Sequence, residues 1–135
     1  MKRVFVDTNV ILDVVLQRDG FWGDSLKVFQ FEEQGKIKAC VSASSITDVF
    51  YISRKKLSIP TARQVIEDLL SIFEVVGVDG KDLTGALSVP IDDYEDALQA
   101  YCASKVSADV LVTKDMEGFP GIGIEVVDPA NFTLQ

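Results

Sequence analysis

The stretch Lys2-Arg3-Val4-Phe5-Val6-Asp7-Thr8-Asn9-Val10-Ile11-Leu12-Asp13-Val14-Val15 reads as a strand running straight into a helix. Residues 2–6 are a short β-branched run, as a strand requires. Residues 8–17 carry apolar Val10, Ile11, Val14 and Val15 at helical spacing, and Gly20 ends the helix. Outward from this junction the alternation repeats. Residues 22–34, with Leu26, Val28, Phe29 and Phe31, form a second helix that Gly35 stops. A strand is expected at 37–41, then a helix capped by Ser42 and running to about Lys56. Ser58 and Pro60 open another helix to about Phe73. A third strand covers 73–78, a short helix 81–89, and a helix capped by Asp92 or Asp93 runs to about Ser107. A fourth strand covers 109–113, a Gly- and Pro-rich loop 115–123, a fifth strand 124–127, and a last helical turn 129–134. The strands are apolar on both faces. That predicts an α/β fold with a five-stranded parallel sheet flanked by helices, in a single domain over residues 1–135.

Composition removes several chemistries. The chain has no His, so Ser-His-Asp triads, Cys-His dyads and imidazole acid–base pairs are excluded. Its two cysteines, Cys40 and Cys102, form no C-x-x-C pair and are expected to be buried thiols. Net charge is −8, which argues against a general nucleic-acid coat but not against an enzyme whose acids hold divalent cations. No apolar run approaches a membrane span, and the opening apolar run is too short for a signal-peptide core, so a cytoplasmic protein with no membrane partner is expected.

Ligands in open parallel sheets bind at the carboxyl ends of strands. Asp7 follows the first strand and Asp115 stands two residues past the fourth, so both fall on one sheet edge if those strands are neighbours. Capping the next helix or turn is the ordinary use of such residues. The helix after Pro90 adds Asp92, Asp93, Glu95 and Asp96. Successive residues rotate by roughly 100°. Ala97, Ala100, Tyr101 and Ser104 share one face, Asp96 borders it, Asp93 is better used as a cap, and Glu95 is expected to point away with Gln99 and Cys102. Asp96 is therefore the favoured third acid, against the bland reading of four acids serving a helix dipole. Asp48, one turn into the helix after the second strand, is a fourth candidate whose ordinary reading is a solvated surface acid. Carboxylates converging from separate segments repel unless cations lie between them, and hard oxygen ligands suit Mg²⁺ or Mn²⁺.

With these residues in view, the chain resembles the PIN-domain nucleases, including the VapC-like toxins of toxin–antitoxin pairs. Three segments carry the likeness in order: Phe5-Val6-Asp7-Thr8-Asn9-Val10-Ile11-Leu12-Asp13, Asp93-Tyr94-Glu95-Asp96-Ala97-Leu98-Gln99-Ala100 and Ala108-Asp109-Val110-Leu111-Val112-Thr113-Lys114-Asp115. The resemblance implies a three-layer fold, a homodimer, and Mg²⁺- or Mn²⁺-dependent hydrolysis of single-stranded or structured RNA. It also implies an antitoxin protein as partner. Asp7, Asp96 and Asp115 match the family's metal-binding acids, Thr113 a hydroxyl residue beside the site, and Asn9 a polar residue near it. Two departures stand out. Asp48 occupies a position that is typically Glu. The usual T-R-N-x-x-D-F reads here Thr113-Lys114-Asp115-Met116-Glu117-Gly118-Phe119, with the acid moved rather than lost.

In an acidic protein RNA must meet local bases, and Lys114 and Arg54-Lys55-Lys56 are the expected contacts. The apolar helices at 8–17 and 22–34 and the pair Phe50-Tyr51 are the expected partner surfaces. Three rivals remain. A haloacid-dehalogenase-type phosphatase needs a second acid where Asn9 stands. A receiver domain would use Asp79 after the third strand but lacks adjacent acids after the first. A PIN scaffold that binds RNA or protein without cutting differs only in activity.

Overall fold

The computed structural model describes residues 1–134; Gln135, the last residue of the expected domain, lies outside the described residues. Five strands form one sheet: β1 (Lys2–Val6), β2 (Ile37–Ser42), β3 (Glu74–Val76), β4 (Val110–Val112) and β5 (Glu125–Val127). Their order is β3-β2-β1-β4-β5, and every neighbouring pair is parallel. The winding reverses at β1, which has β2 on one side and β4 on the other, so the first and fourth strands are neighbours as expected.

Six helices cover the sheet: α1 (Thr8–Val15), α2 (Trp22–Glu33), α3 (Ala43–Ser53), α4 (Ile59–Ile72), α5 (Gly80–Ala86) and α6 (Tyr94–Lys105). The alternating direction of strand side chains sorts them into two layers. Val4 and Val6 of β1 join Val10, Ile11, Val28, Val49 and Leu69 from α1 to α4 in one core. Phe5 between them points the other way, into a core with Cys40, Leu98, Cys102 and Leu111 beside α5 and α6. Both cysteines are buried and free, and burial pushes each thiol up to about 11, so they pack as small apolar groups.

The expected caps set the helix starts. The Ser42 hydroxyl accepts from the Ser45 amide to open α3, the Ser58 hydroxyl accepts from that of Thr61 to open α4, and Asp93 accepts from that of Asp96 to open α6. Asp79 and Asp82 form a reciprocal capping box on α5. Gly35, with φ +70°, takes the left-handed conformation that stops α2.

One expected element is absent. Residues 129–131 make a turn and not a helix. The Asp128 carboxylate accepts from the Asn131 amide at 2.9 Å, and the next residue, Phe132, is buried edge-on against Phe31. That bond is of the helix-capping kind, but the amides that follow bond only three residues back, Asn131 to the Asp128 carbonyl and Phe132 to that of Pro129, so the segment stays a turn. No helix among the described residues is long and apolar enough to cross a membrane.

Candidate active site

The carboxyl ends of β1 and β4 carry the polar residues together. The Asp7 amide donates to the Val112 carbonyl at 3.0 Å, which locks the two strand ends side by side. Asp7 is the N-cap of α1 and is 7% exposed. Its Oδ1 accepts from the Thr8 amide at 2.8 Å and from Gln99 Nε2 at 3.2 Å, and its Oδ2 accepts from the Thr113 hydroxyl at 2.8 Å. The Asp115 amide donates to the same hydroxyl oxygen at 3.0 Å. Thr113 therefore has to send its proton to Asp7, and one buried side chain couples the two acids.

A cleft of about 430 Å³ opens beside this pair, and Asp7, Asp48, Asp93, Glu95, Asp96 and Asp115 all line it, along with Asn9. The expected acids come from β1, α3, α6 and the segment after β4, and the structure brings all four together. No Lys or Arg is among the residues lining the cleft. Uncompensated carboxylates in one space shift their protonation. Burial pushes Glu95 up to about 7, aided by Asp48, then Asp93 and Asp7. Burial pushes Asp96 up to about 6, aided by Asp93, Asp7 and Asp115. Burial also raises Asp7, against the hydrogen bonds from Thr113, Thr8 and Gln99 that lower it, with Asp115 adding to the rise.

Gly118 explains how the end motif is accommodated. A Cβ built there would meet Oδ2 of Asp115 and Oδ2 of Asp96, each at 2.9 Å. The two carboxylate oxygens thus stand less than twice that distance apart. A side chain at position 118 would have to displace both carboxylate ends, so glycine here leaves room for Asp115 beside Asp96.

Three expectations change. Glu95 does not point away; it lines the cleft beside Asp48. Gln99 does not face outward; it is 2% exposed and bonded to Asp7. A single apolar stripe on α6 would turn both residues outward. Instead Ala97, Leu98, Gln99, Ala100, Cys102 and Ala103 are all buried, because the helix is enclosed by sheet, α5 and the cleft wall. Lys114 also departs from expectation. Its amine binds the fully buried Asp13 at 2.8 Å and lies 4.2 Å from the Phe21 ring centroid, so it is turned out of the cleft. Asp13 itself was missed, although a lone acid inside Ile11-Leu12-Asp13-Val14-Val15 signals a paired carboxylate.

The donor set fits a hard divalent cation, being all oxygen and free of cationic side chains. Among the described residues, no three of these acids are close enough to cage an ion on their own. The cleft is wider than a bare ion, which accords with ions such as Mg²⁺ that keep waters and take only one or two carboxylates.

A sequence model of the PIN domain matches residues 3–117. The chain belongs to the PIN-domain family. Ribonuclease VapC1 of Aquifex aeolicus (strain VF5) is 26% identical over 136 aligned positions, covering 97% of this chain and 93% of that protein. Among solved structures, the DNA-bound VapBC complex of Salmonella typhimurium superposes with a TM-score of 0.71 at 21% identity, over 96% of this chain and 99% of that one. The sarcin–ricin loop cleaving toxin VapC20 of Mycobacterium tuberculosis gives 0.65 at 14% identity, over 80% and 86%. These structural likenesses share the PIN-type three-layer fold.

Proposed function

We propose that this PIN-domain protein is a metal-dependent endoribonuclease that hydrolyses RNA phosphodiesters, acting in the cytoplasm as the toxin of a toxin–antitoxin pair. The observation that carries the reading is the cleft at the ends of β1 and β4, lined by six acids and by no base. Asp7, Asp96 and Asp115 are the residues that would hold Mg²⁺ or Mn²⁺, with Asp48 beside them. Bound there, a divalent cation would lower the pKa of a water and clamp phosphodiester oxygens.

The chain's own groups prepare the cleft for this. Thr113 and the Thr8 amide hold Asp7 in one orientation. Glu95, raised to about 7, is part-protonated near neutrality and Asp96, raised to about 6, in mildly acidic solution, and a bound cation would displace those protons. Lys114 is committed to Asp13, so RNA contact falls to Arg54-Lys55-Lys56 at the end of α3, where the Arg54 guanidinium lies 4.9 Å from the Tyr51 ring centroid. Reversing those charges is expected to weaken RNA binding and flatten its salt dependence. Exposed Tyr51, Ile59 and Leu70 around a groove between α3 and α4 support partner binding, by a second copy or an antitoxin. Light scattering at high micromolar concentration tests the dimer.

The deciding experiment incubates a mixed RNA pool with the wild type in Mn²⁺, in EDTA, and with Asp7→Asn in Mn²⁺. Cleavage only in the first supports the reading. RNA binding without cleavage in any would make the protein a non-catalytic scaffold.

A further inference from the structure

We propose that Gln99 is a positioning residue: buried against the end of β1, its side-chain amide orients the Asp7 carboxylate and thereby sets the affinity of the cleft for a divalent cation. The proposal rests on the reading of the cleft as a metal site.

Gln99 lies on α6, one turn beyond Asp96, and spans to two other segments. Its Nε2 is 3.2 Å from Asp7 Oδ1, 3.1 Å from Thr8 Oγ1 and 3.0 Å from Ser45 Oγ. Thr8 and Ser45 hydroxyls are themselves 2.6 Å apart. The carboxylate can only accept, so the nitrogen end of the amide has to face Asp7, and the orientation of the side chain is settled by its partner. The other end is bare. Oε1 of Gln99 is buried and has no hydrogen-bond partner among the described residues. A buried acceptor without a partner is unfavourable, and an aliphatic side chain in this otherwise apolar part of α6 would avoid it. The compensation lies at the nitrogen end, on the acid.

Counting lone pairs shows what the amide does there. An ionised carboxylate has about four acceptor sites, two on each oxygen. Oδ1 of Asp7 accepts from the Thr8 amide and from Gln99, which fills it. Oδ2 accepts from Thr113, which leaves one site. Gln99 therefore restricts Asp7 to a single donor position on Oδ2, on the side shared through Thr113 with Asp115. One helix sets two acids of the cleft, Asp96 directly and Asp7 through Gln99. Groups that orient metal ligands in this way typically alter affinity by tenfold or more.

The test is a calorimetric Mn²⁺ titration of wild type, Gln99→Met, Ser45→Ala and Asp7→Asn. Gln99→Met keeps the length of the side chain and removes the donor. It is expected to bind Mn²⁺ about tenfold more weakly than wild type. Ser45→Ala, which removes another Gln99 partner without touching Asp7, is expected to lower the melting temperature at least as much yet bind within about twofold of wild type. A merely structural glutamine would move the melting temperatures and leave both affinities alone. Mn²⁺ binding by Gln99→Met equal to wild type, with binding lost in Asp7→Asn, overturns this proposal and leaves the metal reading standing. A wild type that binds no Mn²⁺, or an Asp7→Asn protein that binds it unchanged, overturns both. If Gln99→Met does not fold, the wild type answers instead. The Gln99 side-chain amide resonances are expected to shift on Mg²⁺ addition with the midpoint of binding, and unmoved resonances overturn the proposal.

Discussion

Asp7 caps the start of α1 and Asp13 lies in its last turn, yet their surroundings are opposite. Asp13 is fully buried and compensated: Lys114 and Arg18 bind its Oδ1 at 2.8 and 3.4 Å, and the Ser25 hydroxyl donates to its Oδ2 at 3.2 Å. Asp7 is almost as buried, but its donors are neutral and its nearest charged neighbours are other acids. One carboxylate ties α1, α2 and the segment after β4 together. The other is kept in a place where the folded chain by itself does not favour its charge. The buried acid without a cation lines the cleft, and the buried acid with two holds the scaffold.

Exchanging each acid for a neutral side chain breaks the comparison most sharply. Asp7→Asn is expected to lower Mn²⁺-dependent RNA cleavage on the order of a thousandfold, roughly 4 kcal/mol of lost transition-state stabilisation. It should leave the metal-free protein at pH 7 as stable as wild type or more so, because it removes a charge that burial disfavours. Asp13→Ala should do the reverse. It strands the Ser25 hydroxyl and two cations, at a cost of about 3 kcal/mol in urea unfolding, the low end for a broken buried pair since Arg18 and Lys114 reach solvent. Cleavage by the residual folded fraction should fall less than in Asp7→Asn. Equal stability of Asp13→Ala and wild type would show that the ion pair is not a fold determinant.

The titration of the cleft sharpens the contrast. Glu95 and Asp96 have raised values in the folded state, about 7 and about 6, above 4.5 and 3.8 in the unfolded chain. The folded state then binds protons more tightly, so their contribution to stability is present below about pH 4 and lost as pH rises through 6 to 7. The metal-free melting temperature should therefore decline between pH 5 and pH 7.5. Saturating Mn²⁺ should reduce or reverse the decline, and Asp96→Asn should flatten it. A decline of the same size in Asp96→Asn would place its origin elsewhere.

The alternating architecture was legible because helix starts carried local cues: Ser42, Ser58 and Asp93 are caps whose partners lie within three residues. Asp7 and Asp115 were legible as cleft residues because strand ends have a known place in such sheets, and Asp96 because it borders the packing face of its helix. What failed depended on long-range enclosure. Gln99 meets Asp7 and Ser45 across 92 and 54 residues, and Lys114 meets Asp13 across 101. No periodicity reports such pairs. On α6 the single-stripe assumption also misdirected Glu95 and Gln99, since a helix enclosed on several sides has no polar face to read.

The smallest expected effect concerns Asp48 and Glu95, which reach the cleft from α3 and α6 and lie beside each other. Asp48 is shorter by a methylene than the Glu usual at its place, and Glu95 supplies a carboxylate from the opposite helix. Asp48 adds to the burial that pushes Glu95 up to about 7. Removing Asp48 leaves Glu95 freer to ionise. Asp48→Asn and Glu95→Gln should each lower cleavage only about tenfold at saturating Mn²⁺, well short of Asp7→Asn, because the remaining acid still presents a carboxylate to the cleft. Asp48→Glu should retain or raise the rate by restoring reach. The double variant should lose more than the two single losses multiplied, since each single variant relies on its neighbour. Simple multiplication would mean that the two acids act independently. If Asp48→Asn and Asp48→Glu both match wild type while Asp7→Asn is inactive, Asp48 is an ordinary surface residue and the work of the cleft falls to Asp7, Asp96 and Asp115.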